Sequence, residues 1–207
     1  MKLTITRALA ELKLLDKRIR KEIEAAYFVA GVQKKKKIMG MYTKEEFSRR
    51  TQGEIDSIQY LIERRKVIKS AVVNSNAKTM VTIAGNTMTV AEAIERKTSI
   101  EYEKELLQKI KKRYHTAYNE VENANMQVKQ KLDILLESNF GKDIKASAND
   151  VEAISKPYLE QNEWELVDTL GIVGRIEKFE KEIDEFEHEV DFVLSESNTI
   201  TTIEIPD

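Results

Sequence analysis

Residues 172–193 read IVGRIEKFEKEIDEFEHEVDFV. Within this stretch Ile172, Ile176, Phe179, Ile183, Phe186, Val190 and Val193 fall at alternating steps of four and three. That spacing holds one narrow stripe of a helix toward a partner, as in a coiled coil. Ten of the fifteen positions between them are Glu, Asp or Lys, so the other side of the helix belongs in water. A stripe left in water would forfeit roughly 1.5–3 kcal/mol per large side chain, so the helix needs a neighbour.

A second stripe of the same kind lies upstream. Thr89-Val90-Ala91-Glu92 has the form of a capping box, and beyond it Leu107, Ile110, Tyr114, Ala117, Val121, Ala124, Val128 and Leu135 keep a 3,4 alternation. The pattern breaks only at Lys131, where an apolar residue is expected. A continuous helix from about 90 to 137 would span on the order of 70 Å at 1.5 Å per residue, which predicts an elongated molecule. Asn139-Phe140-Gly141 ends that helix, and Asn149-Asp150-Val151-Glu152 caps a shorter one that changes direction near Lys156-Pro157.

Towards the amino end, Ile5, Leu9, Leu12, Leu15, Ile19, Ile23 and Ala26 predict a first helix from about Thr4 to Ala30. A loop follows, with Gly31, the run Lys34, Lys35, Lys36, Lys37, and Gly40. Thr43-Lys44-Glu45-Glu46 then caps a second helix whose inner side carries Phe47, Ile55, Ile58, Leu61, Ile62, Ile68 and Val72, and which ends near Asn74-Ser75-Asn76. Between the second helix and the long one, residues 79–89 alternate in the β manner around Gly85-Asn86, predicting a hairpin. Two strands alone are marginal in water. The other stretch enriched in β-branched residues, 199–205, is a candidate third strand.

These elements give a mainly α fold: an elongated antiparallel helical bundle or coiled coil, with a small β-hairpin and a C-terminal strand. Three segments are expected to form one cooperative unit: a basic helical hairpin over 1–78, the β-hairpin and long central helix over 79–138, and an acidic helical segment with the final strand over 139–207. The seams can close within one chain or between copies.

Composition narrows the classes further. Among 207 residues there are only seven Gly and two Pro, while 34% are charged, which excludes collagen, low-complexity linkers and turn-rich sandwiches. No apolar run is long enough to span a membrane, and the amino end lacks the apolar core of a signal peptide. Without cysteine there is neither a disulfide nor a thiolate metal site. The formal net charge of -2 conceals a segregation: about +10 over 1–78 and about −12 over 139–207, with a neutral middle. Opposite surpluses of this size attract, within a chain or between chains, unless both faces stay solvated.

Candidates for chemistry are few. His115 and His188 stand apart, and the position four after His188 is Phe192, so no zincin motif forms. The acidic run from Glu180 to Asp191 projects from a helix rather than an EF-hand loop, and reads as a solvated face. Gly171-Ile172-Val173-Gly174 lacks the Lys-Ser/Thr of a phosphate loop, and no serine sits in a nucleophile elbow. The sequence thus points to no catalytic residue, metal, cofactor or small-molecule substrate. Lys34–Lys37, beside Lys17, Arg18, Arg20 and Lys21 with Tyr42 or Phe28 to stack, could meet phosphates or an acidic protein surface. Trp164 reads as a core plug, or as a hot spot if exposed.

The order of elements in residues 1–115 resembles uncharacterised phage-encoded helical proteins related to the septicolysin-like family. The residues that carry the resemblance are Lys2-Leu3 opening a basic helix, Asn74-Ser75-Asn76, the turn around Gly85-Asn86, and Thr89-Val90-Ala91-Glu92-Ala93-Ile94-Glu95-Arg96-Lys97. Residues 190–198, followed by the Ile/Thr strand, are similar to the carboxyl ends of phage-encoded members. The resemblance implies a phage genome and a component of the virion or of its assembly, located in the particle or in the bacterial host's cytoplasm; the helical seams and opposed charges add the expectation of homo-oligomers and of other virion proteins as partners. On this reading Ile110, Tyr114, Val121, Val128, Ile176, Phe179, Ile183, Phe186 and Val190 form the assembly seam, and nucleic acid at the lysine run is the alternative.

Overall fold

A computed structural model describes residues 1–141 and 147–206. Its elements are β1 (Lys2–Thr4), α1 (Ile5–Ala25), α2 (Lys44–Asn76), β2 (Met80–Ile83), β3 (Asn86–Thr89), α3 (Val90–Phe140), α4 (Ala148–Asn162), α5 (Ile172–Ile200) and β4 (Thr202–Glu204). The fold is mainly α, with two small antiparallel sheets, β1–β4 and β2–β3. The chain divides into two compact units, one of residues 1–98 with the segment from Phe186 onward, the other Ser99–Glu185.

In the first unit α1 and α2 share a core with β4. Ile5, Ala8, Leu12, Leu15 and Ile19 meet Leu61, Ile68 and Val72, with Ile203 and Ile205 between them. The buried face of α1 passes through Ala8, at 0% exposure, and leaves the expected Leu9 at its edge, 40% exposed. The helix also stops at Ala25, short of Ala30. Beyond Ile19 the apolar side chains of Ile23, Tyr27 and Val29 are exposed, so burial there does not offset the low helix propensity of aromatic and β-branched residues. Arg64 pairs with Glu11 at 3.2 Å, and Arg65 pairs with Asp16, across the α1–α2 contact.

The final strand does not join the hairpin. β4 pairs with β1 in the register Lys2↔Glu204, Leu3↔Ile203, Thr4↔Thr202, and Thr199 and Ile200, expected in the strand, end α5 instead. The ladder is extended by Met1, whose amino group donates to the Ile205 carbonyl at 2.7 Å while its own carbonyl accepts from Ile205 N–H at 2.9 Å. The hairpin finds a surface in place of a third strand: Val81 and Ile83 are buried, and the Ala84 N–H donates to the Glu189 carboxylate of α5 at 2.7 Å. Its turn centres on Ala84 and Gly85, with φ 49° and 75°, one residue earlier than Gly85-Asn86. Glycine accepts that backbone without cost, whereas alanine does so against its Cβ.

Both long helices begin as the sequence indicates. Thr43 and Glu46 form a reciprocal capping box at α2, and Thr89 and Glu92 do the same at α3. Within the first unit the opening of α3 lies against α5: the Arg96 guanidinium stands 4.9 Å over the Phe186 ring, and Lys97 pairs with Asp191.

In the second unit α3 continues unbroken to Phe140, three residues beyond the expected end. The break expected at Lys131 is resolved by a shift of one position, because Leu132 is buried and Lys131 exposed. Lys111 pairs with Glu180 of α5. α4 is capped by Ser147 with Asp150, earlier than the expected Asn149, and remains one helix through Pro157.

Candidate functional site

The lysine run lies in the irregular connection between α1 and α2. Lys36 N–H donates to the Gln33 carbonyl at 2.9 Å, closing a turn in which Lys35 has φ 73°. Two residues later Ile38 and Tyr42 bridge antiparallel, Ile38 N–H to Tyr42 O at 2.8 Å and the return bond at 3.0 Å, with Met39 and Gly40 making the reversal. Ile38 is buried and pins the loop. Lys34, Lys35, Lys36 and Lys37 are consequently all directed to the exterior, each exposed.

The proposed stacking partners differ in availability. The Tyr42 ring faces the Arg50 guanidinium at 5.2 Å, and its hydroxyl accepts a bond from that same group. Arg50 is in turn fixed by Glu54 at 2.8 Å. Tyr42 is thus committed to α2, whereas Phe28 is 43% exposed. On α1, Lys17, Arg18, Arg20 and Lys21 are exposed, with Arg18 3.7 Å from Glu22. Lys37 and Arg49 add to the field on Glu46. That carboxyl is held below its ordinary range first by the Thr43 backbone N–H.

The seam residues fall at two depths. Val128, Ile183, Phe186 and Val190 are buried; Ile110, Tyr114, Val121, Ile176 and Phe179 are half-buried. The stripe of α5 runs on beyond Val193 to Ser197, which is buried. Where α5 and α4 are interrupted, residues 163–171 take the place of a helix beside α3. Asn125 clasps the backbone of Trp164 there, donating to its carbonyl at 2.8 Å and accepting from its N–H at 2.7 Å. The Trp164 ring, expected as a core plug, is 58% exposed; the clasp holds its backbone and leaves its side chain outside. Asn125 escaped sequence reasoning because it stands beside the seam and looks like any polar residue of a solvated helix.

His115 lies edge-on to Tyr114 at 5.9 Å, and His188 edge-on to Phe192 at 6.3 Å. Among the described residues no three His, Cys, Asp or Glu side chains converge in a way that could hold a metal ion, and no helix is long and apolar enough to cross a membrane. No protein-family model matches this chain, and neither a curated protein nor a solved structure shows significant similarity to it.

Proposed function

We propose that the chain is a non-enzymatic assembly protein, a structural or accessory component of a bacteriophage particle in its capsid, neck or tail, working through helical and charge-complementary contacts. The observation that carries the reading is where the charges go. The basic segment pairs internally, through Arg64–Glu11 and Arg65–Asp16. The acidic segment pairs with the neutral middle, through Lys97–Asp191 and Lys111–Glu180. Lys34–Lys37 stay exposed in the first unit, as do Glu196 in the first unit and Glu177 and Asp184 in the second. Surpluses of opposite sign, displayed outward on one chain, favour contact between copies or with charged neighbours. The virion setting rests on the resemblance of residues 1–115.

Light-scattering mass after size exclusion tests the assembly. A discrete multimer at low salt that dissociates at high salt is expected, because exposed pairs are screened within about 8–10 Å at physiological ionic strength. A monomer at both salts would overturn the proposal. Placement in a particle is tested by finding the protein at fixed copy number in the purified virion of the genome that encodes it.

The exposure of all four loop lysines favours nucleic acid as a second reading. Each phosphate they neutralise should steepen the fall of affinity with salt by about 0.9 in the log–log slope. Replacing Lys34–Lys37 by Ala should flatten that slope in a fluorescence titration with duplex DNA. An unchanged slope, or no binding at low salt, would remove this reading.

A further inference from the structure

The interruption between α4 and α5 leaves a notch of about 250 Å³ in the second unit. One wall is the seam face of α3, with Ile110, Tyr114 and Ala117; the other is Leu166 and Val167 of the connection and Ile172 at the start of α5. In an uninterrupted helical pair, knobs from the returning helix would fill this space. Here an irregular segment passes over it, and the helical partner resumes only at Ile172. The notch exceeds the roughly 150 Å³ apolar cavity known to take up benzene, and lies just below the ~300 Å³ lower end of small-molecule sites.

Its polar edge has one sign to spare. Lys109 and Arg113 line it from α3, four residues apart and hence on one side of the helix. Among the described residues neither has an ion-pair partner. The carboxylate at the rim, Asp168, is engaged: one oxygen accepts from Leu170 N–H at 3.1 Å and the other from Ile172 N–H at 2.8 Å. It therefore satisfies the positive end of α5 rather than the two cations. An apolar slot with two unengaged cations at its edge is complementary to an amphiphile with a short apolar tail and an anionic head.

We infer that the notch binds a medium-chain fatty carboxylate, its alkyl chain against Ile110, Ala117 and Leu166 and its carboxylate between Lys109 and Arg113. The guanidinium fork of Arg113 suits a carboxylate, and the aliphatic stems of both cations extend the apolar wall. The inference stands apart from the assembly reading, since it concerns a single chain.

Calorimetric titration of the full-length protein with hexanoate, octanoate, decanoate and octan-1-ol tests it. Affinity should rise about fourfold per methylene until the notch is full and then level off. Octan-1-ol should bind about tenfold more weakly than octanoate, the worth of a charge-assisted contact. Lys109→Gln with Arg113→Gln should lower octanoate affinity to that of octan-1-ol and so erase that difference, while Ala117→Phe, which fills the slot, should abolish both. No saturable octanoate binding in the millimolar range, equal binding of acid and alcohol, or octanoate affinity indifferent to the double Gln variant would each overturn the inference. Should Ala117→Phe lose helicity, the Gln pair on the exposed edge decides alone.

Discussion

Glu46 and Glu92 each accept a bond from the backbone N–H of the threonine three residues before, at 2.8 and 2.7 Å. Asp16 accepts from Arg65 across the α1–α2 contact. All three carboxyls lie below their ordinary range, the first two chiefly through those backbone bonds and Asp16 chiefly through the Arg65 side chain. A depressed carboxyl binds fewer protons folded than unfolded, so its contribution is present above the unfolded value and is lost as pH falls through the folded one. The triple variant Asp16→Asn, Glu46→Gln, Glu92→Gln should be less stable than the parent at pH 7. Urea midpoints of the two should converge as pH is lowered through the carboxylate range. Gln retains part of the cap, which keeps the variant folded for the comparison. A gap that stays constant with pH would mean that these charges contribute nothing through ionisation.

Among the elements, those whose apolar residues repeat over many turns are legible from spacing alone. The stripe of α5 is the clearest case, because one register accounts for seven apolar residues and each of them proves buried or half-buried. Capping boxes are legible for a related reason: Thr43 with Glu46 and Thr89 with Glu92 are local chemistry, complete within four residues. What escaped the spacing is either small or distant. Ala8 fills the α1 face without announcing itself as hydrophobic, and Leu132 takes over from Lys131 because the long helix drifts from a strict heptad. β1 has three residues, too few to show alternation, and its partner lies some two hundred positions away. The β-branched run at the carboxyl end did suggest a strand, but nothing local says which edge it will meet. The lysine loop is equally plain as a charge run, whereas the commitment of Tyr42 to Arg50 depends on a side chain eight residues on. Lys109 and Arg113 resemble every other cation on α3 until the break at 163–171 opens a slot beside them.

At the scale of the whole molecule the β1–β4 ladder makes both ends of the chain parts of one core. Ile203 and Ile205 are buried in the same cluster as Ile5, Leu12 and Ile68, and Arg64 donates to the Pro206 carbonyl at 3.0 Å. Removing residues 202–207 takes away two buried isoleucines, each worth about 2–5 kcal/mol on truncation, together with the ladder bonds. Against a total stability of roughly 5–15 kcal/mol for a typical domain, that loss should open α1 and α2. The second unit draws on other contacts: the Lys111–Glu180 pair, the Asn125 clasp on Trp164, and the burial of Leu107, Val128 and Leu132. Hydrogen exchange on the truncated chain should therefore show protection lost over 5–19 and 58–72 and kept over 107–132. Equal loss in both stretches would mean that the helices shared by the units, α3 and α5, couple them into one cooperative transition. In that case a contact made at either end of the chain would also set the stability of the notch beside Tyr114.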